Sequence, residues 1–247
     1  MVRVGSTTWL SDALRTFGVA MVVVLANASA VPAQVTTSVG VTGTQPLALL
    51  RQSTQALAQP NAASKRLEIV SRLRPITGEQ TTLPVIGRAA DAHGGVWLDV
   101  RLPGRPNGHT GWISANATAP GVAHWQITIS LAERRVTVAH DGHFARLFRA
   151  VVGRPSAPTP VGDFFVEESV KLSGHDVGAP YALALSARSR VFQEFDGGPG
   201  QIALHGTQNI GGVLGTAASH GCVRLDAGAI TWLASRIEPG TPVTIVR

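Results

Sequence analysis

The chain has 247 residues, 44% of them apolar, which is enough to bury ordinary cores and too many for a disordered polymer. Its 27 glycines and 15 prolines favour turns and short strands over long helices, and its single cysteine excludes an internal disulfide. The net charge of +6 comes without basic-aromatic alternation, so nothing points to a nucleic-acid partner.

The first thirty residues read as an export signal. Arg3 and Arg15 supply positive charge ahead of a short apolar run, Phe17 to Ala26, and Ala28-Ser29-Ala30 has the form of a cleavage site, with Val31-Pro32-Ala33 as a second candidate. The run is too short to span a bilayer as a helix. Residues 31–64 are rich in Ala, Thr, Ser, Gln and Pro and read as a linker, with a short helix expected over Leu47 to Leu57 after Pro46.

From 65 to 118 the pattern becomes that of short strands. Leu67-Glu68-Ile69-Val70 and Val96-Trp97-Leu98-Asp99-Val100 alternate. The turn cluster Pro103-Gly104-Arg105-Pro106-Asn107-Gly108 follows, and then Gly111-Trp112-Ile113. Close spacing of such strands suggests a small barrel. The stretch from Val96 to Ser114 resembles a bacterial SH3-like domain, which implies binding to wall peptides or plain spacing. Between 31 and 122, eight Lys and Arg stand against four Asp and Glu; from 123 onward the numbers are eleven and ten. The basic front half suits anionic wall polymers.

Residues 123–247 continue as strands. Trp125, Ile127, Ile129 and Leu131 alternate with polar residues, as do Val136 and Val138 across the turn Ala132-Glu133-Arg134. Thr159-Pro160-Val161-Gly162-Asp163-Phe164 turns into another strand. Asp226 can cap a helix that carries Ile230, Leu233, Ala234 and Ile237 on one face. Pro239-Gly240 stops it, and Val243 and Ile245 alternate in a last strand.

The stretch that carries chemistry is His205-Gly206-Thr207 followed by Ser219-His220-Gly221-Cys222-Val223-Arg224. A cysteine attacks as thiolate, and a neighbouring imidazole can take its proton and lower its pKa. His220 is two residues from Cys222, on the same face if the segment is extended; His205 must come from a neighbouring strand. Gly221 permits a tight turn or close approach of backbone to substrate, and N–H groups around Cys222 could hold an oxyanion. Zinc on His205, His220 and Cys222 would lack a fourth ligand at motif spacing, so no metal and no cofactor is expected.

These two segments resemble the active-site motif of the L,D-transpeptidase family, the YkuD-type catalytic domain. Thr159 to Phe164 matches an upstream motif and Pro180-Tyr181 a weaker one. The resemblance implies a mainly β chain, in which a small SH3-like barrel is followed by a β-sandwich-like catalytic domain with short helices. Cys222 would be the acylated nucleophile and His205 the base, oriented through its other ring nitrogen by the Gly206 carbonyl. His220, Gly221 and Gly206 would line or support the oxyanion region. Arg224 would brace the loop or meet a substrate carboxylate, and Ser219 would serve that substrate-binding loop structurally. The implied reaction releases the terminal D-alanine of a donor stem tetrapeptide and leaves a thioester, which the amine of a second stem converts into a 3→3 cross-link. Water in its place would give carboxypeptidase activity, and carbapenems would acylate the same thiol. Peptidoglycan stem peptides are the expected partners of an exported monomer. The reading from a different class is a non-catalytic wall-binding protein.

Overall fold

The computed structural model describes residues 37–38, 43–194 and 198–247, within one compact unit, Gln34–Arg247. The expected export signal lies outside the described residues. No helix among them is long and apolar enough to cross a membrane.

The front lobe is one sheet: β1 (Thr37–Ser38), β2 (Gln45–Leu50), β3 (Thr54–Leu57), β4 (Arg66–Val70), β5 (Thr82–Ala90), β6 (Val96–Arg101), β7 (Thr110–Ser114) and β8 (Thr118–Ala123). Its order is β4-β3-β7-β6-β5-β2-β8, with β1 paired to β5. The short helix expected over Leu47 to Leu57 is instead two strands, and the described part of the expected linker belongs to this sheet. The physical reason is visible in the burial. Ala48 and Leu50 enter the front core at every second residue, and Ala56 joins them from β3, so pairing overrides a weak helical preference.

The second lobe holds β9 (Trp125–Ser130), β10 (Arg135–His140), β11 (His143–Arg149), β12 (Val152–Gly153), β13 (Gly162–Lys171), β14 (Tyr181–Arg188), β15 (Gln201–Gly206), β16 (Ala217–Ser219), β17 (Val223–Leu225), α1 (Ala227–Ala234) and β18 (Pro242–Val246). Eight of these form a sheet in the order β11-β10-β9-β18-β13-β14-β15-β17, and β12 pairs with β16 apart from it. Pairs β9–β18 and β15–β17 are parallel. Ile127, Ile129, Val136, Val138, Val243 and Ile245 point into one core, as their alternation predicts. Asp226 caps α1 by accepting from the Ala229 N–H at 2.8 Å, and Ile230, Leu233 and Ile237 close that core.

β13 joins the lobes. Phe164 and Val166 enter the second core, while Phe165 between them enters the front core. A bulge between Val166 and Glu168 then breaks the alternation. Two consecutive carboxylates, Glu167 and Glu168, are thereby buried against the front lobe. Glu167 pairs with Arg74 and, at 2.9 Å, with Arg188; Glu168 accepts from the N–H and hydroxyl of Thr77, each at 3.0 Å. Burial pulls the Arg188 guanidinium down to about 10, although Glu168 opposes the shift.

Candidate active site

The parallel pair β15–β17 sets the site. Leu204 lies opposite Val223 and His205 opposite Arg224. Ile202, Leu204, Val223 and Leu225 take the core face. Strand alternation therefore sends Gln201, Ala203 and His205, with Arg224, to the other face. Cys222 immediately precedes β17, beside Ala203. Its sulfur lies 3.9 Å from the Gln201 carbonyl. His205 is two residues farther along β15, a displacement of roughly 7 Å at about 3.3 Å per residue. The imidazole thus stands on β15, and the thiol, just before β17, lies against the backbone of the same strand.

His205 is 9% exposed. Its Nδ1 lies 2.8 Å from the Gly206 carbonyl, which can only accept, so Nδ1 carries the proton and Nε2 keeps its lone pair. Gly178 backs the ring. A β-carbon there would lie 2.4 Å from Nδ1, and Gly178 has φ +85°, so glycine is required for both space and backbone. The Gly206 N–H donates to the Gly178 carbonyl at 2.7 Å and fastens this crossing. No motif singles out Gly178 in the sequence; its only signal is its place just before the weak Pro180-Tyr181 match.

Between β16 and β17 the residues His220 to Cys222 bend and are not extended strand, with Gly221 at φ +121°. His220 and Cys222 therefore do not share a face by alternation. Ser219 is fully buried; its hydroxyl donates to the Cys222 carbonyl at 2.5 Å and accepts from the Gly221 N–H at 3.2 Å. The Gly221 carbonyl in turn accepts from the buried Thr159 hydroxyl at 2.8 Å. Ser219 thus ties the turn and has no surface to offer a substrate. The N–H groups of Gly221 and Gly206 are both engaged, so these glycines shape the backbone and are not free oxyanion donors. His220 is exposed, with its ring 5.9 Å from that of Phe192 at 62°.

Charge follows from burial. Burial pushes the Cys222 thiol up, while a hydrogen bond to the Ala203 backbone and the Arg224 charge pull it partly back. Burial also pushes His205 below the usual histidine range; its bond to Gly206 opposes this and Arg224 adds to it. Both shifts favour the neutral forms of the two groups. Arg224 is itself buried. Its Nη1 donates to the Gly211 carbonyl at 3.3 Å, and its Nε has no partner among the described residues. Asp226 is engaged as the α1 cap, so Arg224 leaves a positive charge beside the thiol. No three His, Cys, Asp or Glu side chains are grouped as metal ligands among the described residues.

Residues 124–245 match the YkuD family model, described as the L,D-transpeptidase catalytic domain. The chain is 28% identical over 128 residues to the YkuD protein of Bacillus subtilis, covering 52% of this chain and 70% of that one. It is 23% identical over 214 residues to L,D-transpeptidase 1 of Mycobacterium tuberculosis, covering 72% and 80%. The crystal structure of L,D-transpeptidase 3 from Mycobacterium tuberculosis aligns with a TM-score of 0.43 and 17% identity, over 70% of this chain and 77% of that one.

Proposed function

From the premise that the chain belongs, through residues 124–245, to the YkuD family of L,D-transpeptidase catalytic domains, we propose that it cross-links peptidoglycan stems through a thioester on Cys222. The observation that carries the reading is the Cys222 thiol set against β15, the strand that carries His205, with His205 fixed as the tautomer whose Nε2 can accept a proton.

As Sγ attacks the carbonyl carbon after the third residue of a donor tetrapeptide, His205 Nε2 takes the thiol proton. It then gives that proton to the departing amine of D-alanine, leaving the acyl group on sulfur. The amine of a second stem attacks the thioester, His205 takes its proton and passes it to the departing sulfur, and the thiol and the neutral imidazole are restored. Because both shifts favour the neutral forms, the proton moves during attack and not before it. The Arg224 charge favours the sulfur anion as it forms and suits a substrate carboxylate. His220 is proposed to face the oxyanion side.

A wall substrate requires export, in keeping with the signal expected over residues 1–30. Stem peptides are the proposed partners. Anionic wall polymers would have to meet the front lobe at Arg51, Lys65, Arg66, Arg72 and Arg88, all of them exposed.

The test is intact-mass analysis of the protein incubated with a defined stem tetrapeptide, with and without an amine acceptor. The expected result is a thioester adduct lost in Cys222→Ala, and a cross-linked product when acceptor is present. An adduct that persists in Cys222→Ala overturns the assignment of the nucleophile. Shortened stems without any cross-link would assign the protein to hydrolysis instead.

A further inference from the structure

Arg105 stands on the front lobe, in the turn between β6 and β7, and reaches into the segment joining β14 to β15. Its Nη1 donates to the Pro199 carbonyl at 2.9 Å, and its Nη2 to the carbonyls of Ser189 and Phe192 at 2.9 and 3.0 Å. Three carbonyl oxygens from one segment thus converge on a single guanidinium. Without a donor among them they would repel one another, and a planar fork with several N–H groups suits three acceptors where one ammonium would not. No carboxylate pairs with Arg105 among the described residues, so these carbonyls are what its charge-assisted bonds serve.

The segment is built around that contact. Ser189 donates its N–H to the Gly200 carbonyl at 2.7 Å, and its hydroxyl accepts from the N–H groups of Val191 and Phe192 at 3.2 and 3.0 Å. Gly200 has φ +64°, and a β-carbon on it would lie 2.1 Å from the Phe192 carbonyl oxygen and 3.2 Å from the Arg105 guanidinium. The same Phe192 turns its ring against His220, two residues before Cys222.

We propose that Arg105 is a positioning residue of the active site: the front lobe supplies the cation around which residues flanking Phe192 are shaped, and Phe192 sets where His220 stands, two residues before Cys222. The front lobe then acts in the reaction of its neighbour and is more than a spacer. The effect on turnover rests on the transpeptidase reading; the contact itself does not.

The test compares Arg105→Ala, Phe192→Ala and the double variant in the full chain, with Arg101→Ala as comparator. Arg101 makes a different cross-lobe pair, with Asp163 at 3.2 Å, away from this segment. Three quantities are read: backbone amide exchange of residues 189–194 and 198–200, kcat and KM for a stem tetrapeptide, and the alkylation rate of Cys222 by iodoacetamide. Arg105→Ala is expected to speed exchange there and to lower kcat/KM about tenfold, mostly through KM, with alkylation unchanged. Phe192→Ala should lower kcat/KM similarly, and the double variant should be no worse than either single one, because both break one chain of contacts. Unchanged exchange in Arg105→Ala, additive losses in the double variant, or an equal effect from Arg101→Ala would each overturn the proposal. Absence of turnover in the unaltered protein would instead reject the transpeptidase reading, while exchange would still decide the role of Arg105.

Discussion

At His205 the two ring nitrogens have separate tasks, because the Gly206 carbonyl claims the proton of Nδ1. Burial holds the imidazole below its ordinary value of about 6.5 and holds the thiol of Cys222 above its own. Between those displaced values both groups are neutral, and in the proposed mechanism the base is ready. As pH falls through the depressed value of His205 the imidazole becomes cationic and can no longer accept a proton. The acid limb of kcat/KM should therefore have its midpoint below about 6.5. Iodoacetamide alkylation of Cys222 should keep rising with pH past the ordinary thiol value, without the plateau near neutrality that a preformed thiolate–imidazolium pair gives. A plateau there would mean the ion pair exists at rest. Stability follows with the same sign. The contribution of a neutral His205 is complete above about 6.5 and declines as pH falls from there toward its folded value, since the unfolded chain binds that proton first.

Among the elements, the legible ones bury one face. β9, β10 and β18 alternate cleanly because solvent or polar partners cover their other side, and α1 carries both its cap and its apolar stripe in sequence order. β13 could not be read this way. Phe164 to Glu168 are all buried, because each face of the strand meets a different lobe and the bulge then turns two carboxylates inward together. The site divides along the same line. Cys222 and His205 stand in a compact motif, whereas Gly178, Phe192 and Arg105 matter through contacts between residues far apart in the chain, which no local pattern records. The bulge also makes a prediction. Glu167 lies between the Arg74 and Arg188 guanidiniums with its side chain fully buried, so Glu167→Gln leaves two buried cations with only the neighbouring Glu168 as counter-charge. Such a loss should cost about 3–5 kcal/mol, read as a lower urea midpoint at unchanged slope. A midpoint within error of the original would mean water reaches the cluster and already screens it.

For the whole molecule, the uneven charge takes on a different meaning from the one its sequence suggests. Three of the front lobe's basic side chains point at its neighbour: Arg74 at Glu167, Arg101 at Asp163 and Arg105 at the backbone from Ser189 to Pro199. Much of the front lobe's positive excess therefore serves the joint between lobes, and the surface left for an anionic polymer is correspondingly smaller. Phe165 makes the joint apolar as well as ionic, since a residue of the catalytic sheet completes the front core at 1% exposure. Two lobes that share a side chain and a buried ion cluster should unfold together. Phe165→Ala should then cost about 3–5 kcal/mol and lower both lobes by the same amount, although the cavity it leaves is in only one of them. Hydrogen exchange along a denaturant series checks this, with amides of β6 reporting the front lobe and those of β10 the catalytic lobe. Parallel loss of protection in β6 and β10 is the outcome the shared core requires. If β6 loses protection while β10 keeps it, the front lobe is a separable domain, and its hold on the catalytic segment through Arg105 would have to survive without a common core.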